Sequence, residues 1–96
     1  KSLEIDIMAT LKKAKQAFIV EVKSNPERTE YIEEFLEKLD KITQFLPELE
    51  EYTLIGIYAG LDMSKETVDL LTKKRIYAMV FKGDILEIVN FEDLKV

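Results

Sequence analysis

Four residues near the start of the chain have the types and spacing for chemistry: Glu4, Asp6, Glu21 and Lys23. Residues 3 to 11 (LEIDIMATL) alternate, with Leu3, Ile5, Ile7, Ala9 and Leu11 on one face and Glu4, Asp6, Met8 and Thr10 on the other. Residues 17 to 24 (AFIVEVKS) alternate again, setting Phe18, Val20 and Val22 against Ala17, Ile19, Glu21 and Lys23. Both runs read as strands, the first with one buried face, and the polar KKAKQ between them reads as a hairpin. Pairing centred between Lys13 and Ala14 puts Leu3, Ile5, Ile7 and Ala9 on the face of Phe18, Val20, Val22 and Ser24. The same register sets Asp6 opposite Glu21 and Glu4 opposite Lys23.

Two carboxylates facing each other across a sheet repel unless a proton or a cation lies between them. A hard divalent cation resolves the repulsion. Mg²⁺ takes oxygen ligands at about 2.0–2.1 Å and keeps several waters, so Asp6, Glu21 and the backbone carbonyl of Val22 would suffice as its protein ligands. Lys23, on the same face, would orient a metal-bound water or stabilise charge developing on a phosphate. Such a set suits metal-assisted hydrolysis of a phosphodiester. The plainer alternative is the solvated face of an antiparallel hairpin, with Glu4 and Lys23 an ordinary cross-strand pair contributing about 0.2–1 kcal/mol.

The remaining elements must hold these residues in place. Asn25-Pro26 is a good helix start, because Asn caps free amides and Pro at the first position gives up no hydrogen bond. Tyr31, Ile32, Phe35, Leu36, Leu39, Ile42, Phe45 and Leu46 follow at helical spacing, with Glu30, Glu33, Glu34, Glu37, Lys38 and Lys41 assigned to water. Pro47 ends that helix. Residues 52 to 60 (YTLIGIYAG) are apolar almost throughout, as expected of a central strand parallel to its predecessor. Ser64 caps a second helix, about 65 to 75, whose Val68, Leu71 and Leu70 face inward. Residues 76 to 81 and 85 to 89 form a second hairpin around Lys82, Gly83 and Asp84, with Gly83 supplying the positive φ of a tight reversal. The order is β-β-α-β-α-β-β, an α/β class with a mixed β-sheet flanked by helices.

Composition narrows the function further. The 96 residues hold no Cys and no His, which removes thiolate and imidazole metal sites, disulfides and histidine switches. The formal net charge of −5, from 19 acids against 14 bases, disfavours general attraction to a polyphosphate. Lys12, Lys13 and Lys15 form the compact basic group of the first half, best read as a solvated turn. Gly56 and Gly60 belong to no phosphate-binding loop, since neither GxxxxGK[ST] nor GxGxxG occurs. With no apolar run near the roughly 20 residues that span a bilayer, and no signal-peptide core, a cytoplasmic location is the default.

Asp6 followed by Glu21, Val22 and Lys23 on adjacent strands resembles the PD-(D/E)XK nuclease superfamily. Its signature is an Asp on one strand and an Asp/Glu-x-Lys on the next, then a helix and a parallel strand. EIDIMATLKKAKQAFIVEVKS is similar to that motif, and Asn25 to Gly60 supplies the helix and strand. The stretch from IGIYAGLDMS through KKRIYAMVFKGDILEIVN resembles the C-terminal half of uncharacterised prokaryotic members. The resemblance implies a restriction endonuclease-like fold and a Mg²⁺- or Mn²⁺-dependent nuclease acting on DNA or RNA. By motif position, Asp6 and Glu21 would be metal ligands and Lys23 the catalytic lysine. Members of the superfamily usually open with a further helix and strand, whereas five residues precede Asp6 here, and Asp6 follows Ile5 rather than Pro. Residues 1–96 are therefore expected to be a single domain forming the C-terminal part of a larger one, completed by an N-terminal segment or by a second copy in a homodimer. The alternative function is a catalytically inactive binding or dimerisation module of the same fold.

Overall fold

The alternating and apolar runs of the sequence become five strands of one mixed sheet in a computed structural model that describes residues 3–94. In chain order the strands are β1 (Ile7–Leu11), β2 (Gln16–Val22), β3 (Thr53–Gly60), β4 (Tyr77–Lys82) and β5 (Ile85–Ile88). The helices are α1 (Thr29–Phe45), α2 (Lys65–Lys73) and the short α3 (Phe91–Leu94), with a 3-10 turn over Pro47–Leu49. Spatial order follows chain order, β1-β2-β3-β4-β5. The two outer pairs are antiparallel, while β2, β3 and β4 run parallel.

The two crossovers carry α1 and α2 to the same side of the sheet, as two right-handed connections that advance in one direction must. There Ala17, Ile19, Tyr58 and Ala78 of the sheet form a continuous core with Ile32, Phe35 and Ile42 of α1 and Leu71 of α2. Gly56 admits α1 closely: a Cβ at that position would lie 2.8 Å from Leu39 Cδ1. The rings of Phe35 and Tyr58 meet beside it at 6.2 Å. The opposite face is less covered. Phe91 of α3 stacks on Tyr77 at 6.0 Å, and a hollow of about 230 Å³ opens beside them, lined by Phe18, Ile57 and Ile88 among others. Ile7, Leu11, Val22, Phe81 and Leu86 lie on this face by register and remain exposed.

Several boundaries differ from the sequence reading. The first strand begins at Ile7, not at residue 3, and all five of its residues are exposed. Leu3 and Ile5 leave the strand path and pack against the helix-side core instead. The buried face of the hairpin is accordingly the Ala17, Ile19 and Glu21 face, not the Phe18, Val20 and Val22 face. The reason is competition between two apolar sets: small Ala17 lets α1 approach, and Ile19 pairs with Gly56. α1 begins at Thr29 rather than after Asn25. Pro26 is buried in the preceding loop, where its carbonyl accepts the Tyr58 hydroxyl at 3.1 Å. Arg28 takes the N-cap position without a side-chain capping bond, its guanidinium donating to Glu30 at 2.9 Å instead.

α2 starts as its sequence dictates, with Ser64 Oγ accepting the Thr67 amide at 3.1 Å. It ends at Lys73 because Arg75 turns into the left-handed region at φ 63°, and the Ile76 amide bonds back to the Leu71 carbonyl at 2.9 Å. That is a Schellman ending with Arg where Gly is usual. Gly83 supplies the left-handed turn of the second hairpin, at φ 62°. Asn90, nearly fully buried, locks the hairpin to α2: its Oδ1 accepts the Ala78 amide at 2.8 Å, and its Nδ2 donates to Thr72 Oγ1 at 2.8 Å and to the Ile76 carbonyl at 3.0 Å. Among the described residues, no helix is long and apolar enough to cross a membrane.

Candidate functional site

Glu21 is the sixth residue of β2, and strand alternation turns its side chain toward α1 along with Ala17 and Ile19. It is 4% exposed, one of few charged groups in the interior. Burying a carboxylate costs several kcal/mol unless opposite charge and hydrogen bonds compensate. Two lysines supply that compensation. Lys38 of α1 places Nζ 3.1 Å from Oε1 and 3.2 Å from Oε2. Lys23 places Nζ 3.3 Å from Oε2.

Lys23 is held from several sides. Its amide donates to the Ala59 carbonyl at 2.9 Å, so the backbone continues along β3 for one residue past the end of β2. Its ammonium sits 4.5 Å from the centre of the Tyr31 ring, a cation–π contact. The Glu21–Lys23 pair replaces the Glu4–Lys23 cross-strand pair expected from the sequence, because residues 3–6 lie outside the strand and Glu4 points to solvent.

Asp6 ends the same hairpin from the other side. The ladder runs from Leu11 opposite Gln16 to Ile7 opposite Val20, the register the apolar pattern indicates. Beyond Ile7 the chain bends away, and the Val22 amide, left without a strand partner, donates to Asp6 Oδ2 at 2.9 Å. Asp6 is thereby fixed at the edge of β2, next to the residue that follows Glu21. Its carboxylate engages the backbone of Val22, while the Glu21 carboxylate engages the two lysines on the helix side. Val22 itself is half-exposed at the strand end.

Tyr58 completes the floor. It pairs with Glu21 in register and is fully buried. Burial, then the negative charges of Glu21 and Glu27, push its phenol up to about 12, so it stays a neutral donor to the Pro26 carbonyl. Beside it, the loop after β2 is clasped to the start of α2. Glu27 accepts the Thr67 hydroxyl at 2.6 Å, the Ser64 hydroxyl at 2.7 Å and the Ser64 amide at 2.8 Å. Those bonds, the Thr67 hydroxyl foremost, hold the Glu27 carboxyl below its ordinary range.

Among the described residues, no three or more Asp and Glu side chains gather as a ready cation cage. The donor set of Asp6, Glu21 and the Val22 carbonyl is all hard oxygen. It matches the sparse protein ligation of Mg²⁺, which takes one or two carboxylates and fills the rest of its shell with water and phosphate. Two ammoniums face the one Glu21 carboxylate, while the charges of Glu27 and Glu34 also bear on Tyr58 beneath it.

Lys38 and Glu27 are the participants that sequence reasoning misses. Lys38 is assigned to the solvated side of its helix, yet it falls with Tyr31, Phe35 and Ile42 at the 3- and 4-residue spacings of the core stripe. A lysine on an apolar stripe is the signal that an acidic partner lies across from it. Glu27 carries no comparable signal, since its partner Ser64 lies 37 residues further on. Comparison of the chain with protein-family models, with curated proteins and with solved structures found no match, so the reading of function rests on the residues and their geometry.

Proposed function

We propose that the chain carries the catalytic strands of a metal-dependent nuclease of the PD-(D/E)XK type, with a restriction endonuclease-like fold, cutting phosphodiester bonds of DNA or RNA in the cytoplasm. The observation that carries the reading is Glu21: a carboxylate buried at the end of a parallel strand, with Lys23 two residues on and Asp6 anchored to the residue between them. A fold selected for stability alone gains little from such a group, because an apolar residue of similar size fills the same space without a desolvation cost.

Asp6, Glu21 and the Val22 carbonyl would hold the cation. Bound there, Mg²⁺ or Mn²⁺ would stabilise charge at the phosphate and make a bound water more acidic. Lys23, steadied by the Tyr31 ring, is the group to face a non-bridging phosphate oxygen as its charge grows. Isothermal calorimetry with Mg²⁺ and Mn²⁺ on the wild type and on Asp6→Ala tests the site. Binding in the wild type, weakened in the variant, is the expected result; equal and negligible heats in both defeat the metal assignment. Given activity on a DNA or RNA substrate, Lys23→Ala should lower the rate far more than the cation affinity.

A second reading is a non-enzymatic binding or dimerisation module of the same fold. It is favoured by the exposed apolar row of Ile7, Leu11, Val22, Phe81 and Leu86 on the face away from α1 and α2. Sedimentation equilibrium separates the readings in part. A monomer that persists to millimolar concentration counts against self-association through that face.

A further inference from the structure

Among the described residues, every short contact made by the Glu21 carboxylate is to an ammonium: Lys38 meets both oxygens, at 3.1 and 3.2 Å, and Lys23 meets Oε2 at 3.3 Å. A divalent cation that takes Glu21 as a ligand meets these ammoniums at the same two oxygens, and like-charge repulsion favours the departure of one of them. The two are not equally free to leave. Lys23 is the residue after β2, pinned by its amide to Ala59 and by its ammonium to the Tyr31 ring. Lys38 reaches the carboxylate from the middle of α1; its side chain is about as exposed as that of Lys23, 24% against 26%, but no aromatic ring holds its ammonium among the described residues, so Glu21 is its one short contact there.

We infer that Lys38 is a displaceable counter-ion that competes with a divalent cation for Glu21 and thereby sets the cation concentration at which the site fills. This rests on the metal-binding reading above and adds to it a residue outside the resembled motif. Without a cation, Lys38 neutralises a carboxylate that would otherwise be buried with only Lys23 as its partner. With one, the ammonium is released toward solvent. The competition is reciprocal: whatever strengthens the Lys38–Glu21 pair weakens cation binding by the same factor.

The test is Mn²⁺ calorimetry on the wild type, Lys38→Met, Lys38→Arg, and the double variant Lys38→Met with Glu21→Gln, each checked for folding by circular dichroism. Lys38→Met should bind Mn²⁺ at least about fivefold more tightly than the wild type. Lys38→Arg, which keeps the counter-ion, should bind Mn²⁺ no more tightly than the wild type, and the double variant should lose the gain. A role for Lys38 confined to packing would not raise cation affinity. Unchanged or weaker binding by folded Lys38→Met, beside measurable wild-type binding, overturns the inference and leaves the metal site standing. No binding by any of the proteins overturns both. A measurement without substitutions covers the case in which Lys38→Met does not fold: in the wild type, saturating Mg²⁺ should move the Lys38 side-chain nuclear magnetic resonance signals to those of a solvated lysine. Signals that stay put while Mg²⁺ binds overturn the inference.

Discussion

The Glu27 carboxylate accepts both the amide and the hydroxyl of Ser64, at 2.8 and 2.7 Å, across 37 positions of the chain. It ties the loop that follows the candidate site to the first turn of α2, where a negative charge is also favoured by the helix dipole. The Thr67 and Ser64 hydrogen bonds hold this carboxyl below its ordinary value of 4.5. A carboxyl lowered in the folded state contributes stability above its unfolded pKa, and that contribution disappears as pH falls through the lowered value. Thermal melts of the wild type and Glu27→Gln from pH 7 to pH 3 should show the wild type more stable at neutral pH, with the gap closing in acid. A constant gap contradicts the assignment.

Tyr58 provides the alkaline counterpart. Its phenol is raised to about 12, so the folded state holds a proton that the unfolded chain releases near pH 10. Stability from this group is complete below pH 10 and is lost as pH rises toward 12. Ultraviolet titration should show a late phenolate phase that is missing in Tyr58→Phe. At neutral pH the same substitution should cost about 0.5–1.5 kcal/mol by urea denaturation, through loss of the bond to Pro26.

Two glycines of β3 should respond differently to the same change. A Cβ on Gly60 would sit 2.7 Å from Pro26 Cγ and 3.3 Å from the Lys23 carbonyl, neighbours that cannot rotate away. On Gly56 the close neighbour is Leu39 Cδ1 at 2.8 Å, the end of a side chain that can. Gly60→Ala should therefore lose about 1–3 kcal/mol, and Gly56→Ala about 1 kcal/mol or less. The reverse order in chemical denaturation would show that the loop around Pro26 yields more easily than α1.

Arg75 occupies a left-handed position at the end of α2, where a side chain is strained and Gly is not. Arg75→Gly should raise stability by about 0.5–1 kcal/mol, the relief of strain outweighing the added freedom of the unfolded chain. A higher urea midpoint with unchanged slope is the expected signature.

Much of this architecture is written locally in the chain. The hairpin register follows from period-two alternation, because a slip of one residue would turn every side chain of β2 over. Ser64 and Gly83 mark a helix start and a reversal by chemistry that acts within a few residues. The sequence is ambiguous where two faces compete. Phe18, Val20 and Val22 look as apolar as Ala17 and Ile19, and the choice between them turns on Gly56, far along the chain, which lets α1 settle on one side. Within the site, the spacing of Asp6, Glu21 and Lys23 is visible in the sequence. The partners that fix them are harder to see, since Lys38 lies 17 positions from Glu21 and its bond depends on how α1 is rotated over the sheet.

β1 is an edge strand, exposed along its whole length and paired on one side alone. Glu21 lies beneath α1, whereas Asp6 hangs from the end of this outermost hairpin by one bond to a backbone amide. Fraying of the hairpin would break that bond and leave Asp6 held through Ile5, which packs against the helix-side core. The position of Asp6 relative to Glu21 therefore depends on how firmly that edge is held. Anything that lays a further strand along that edge would hold Asp6 in place.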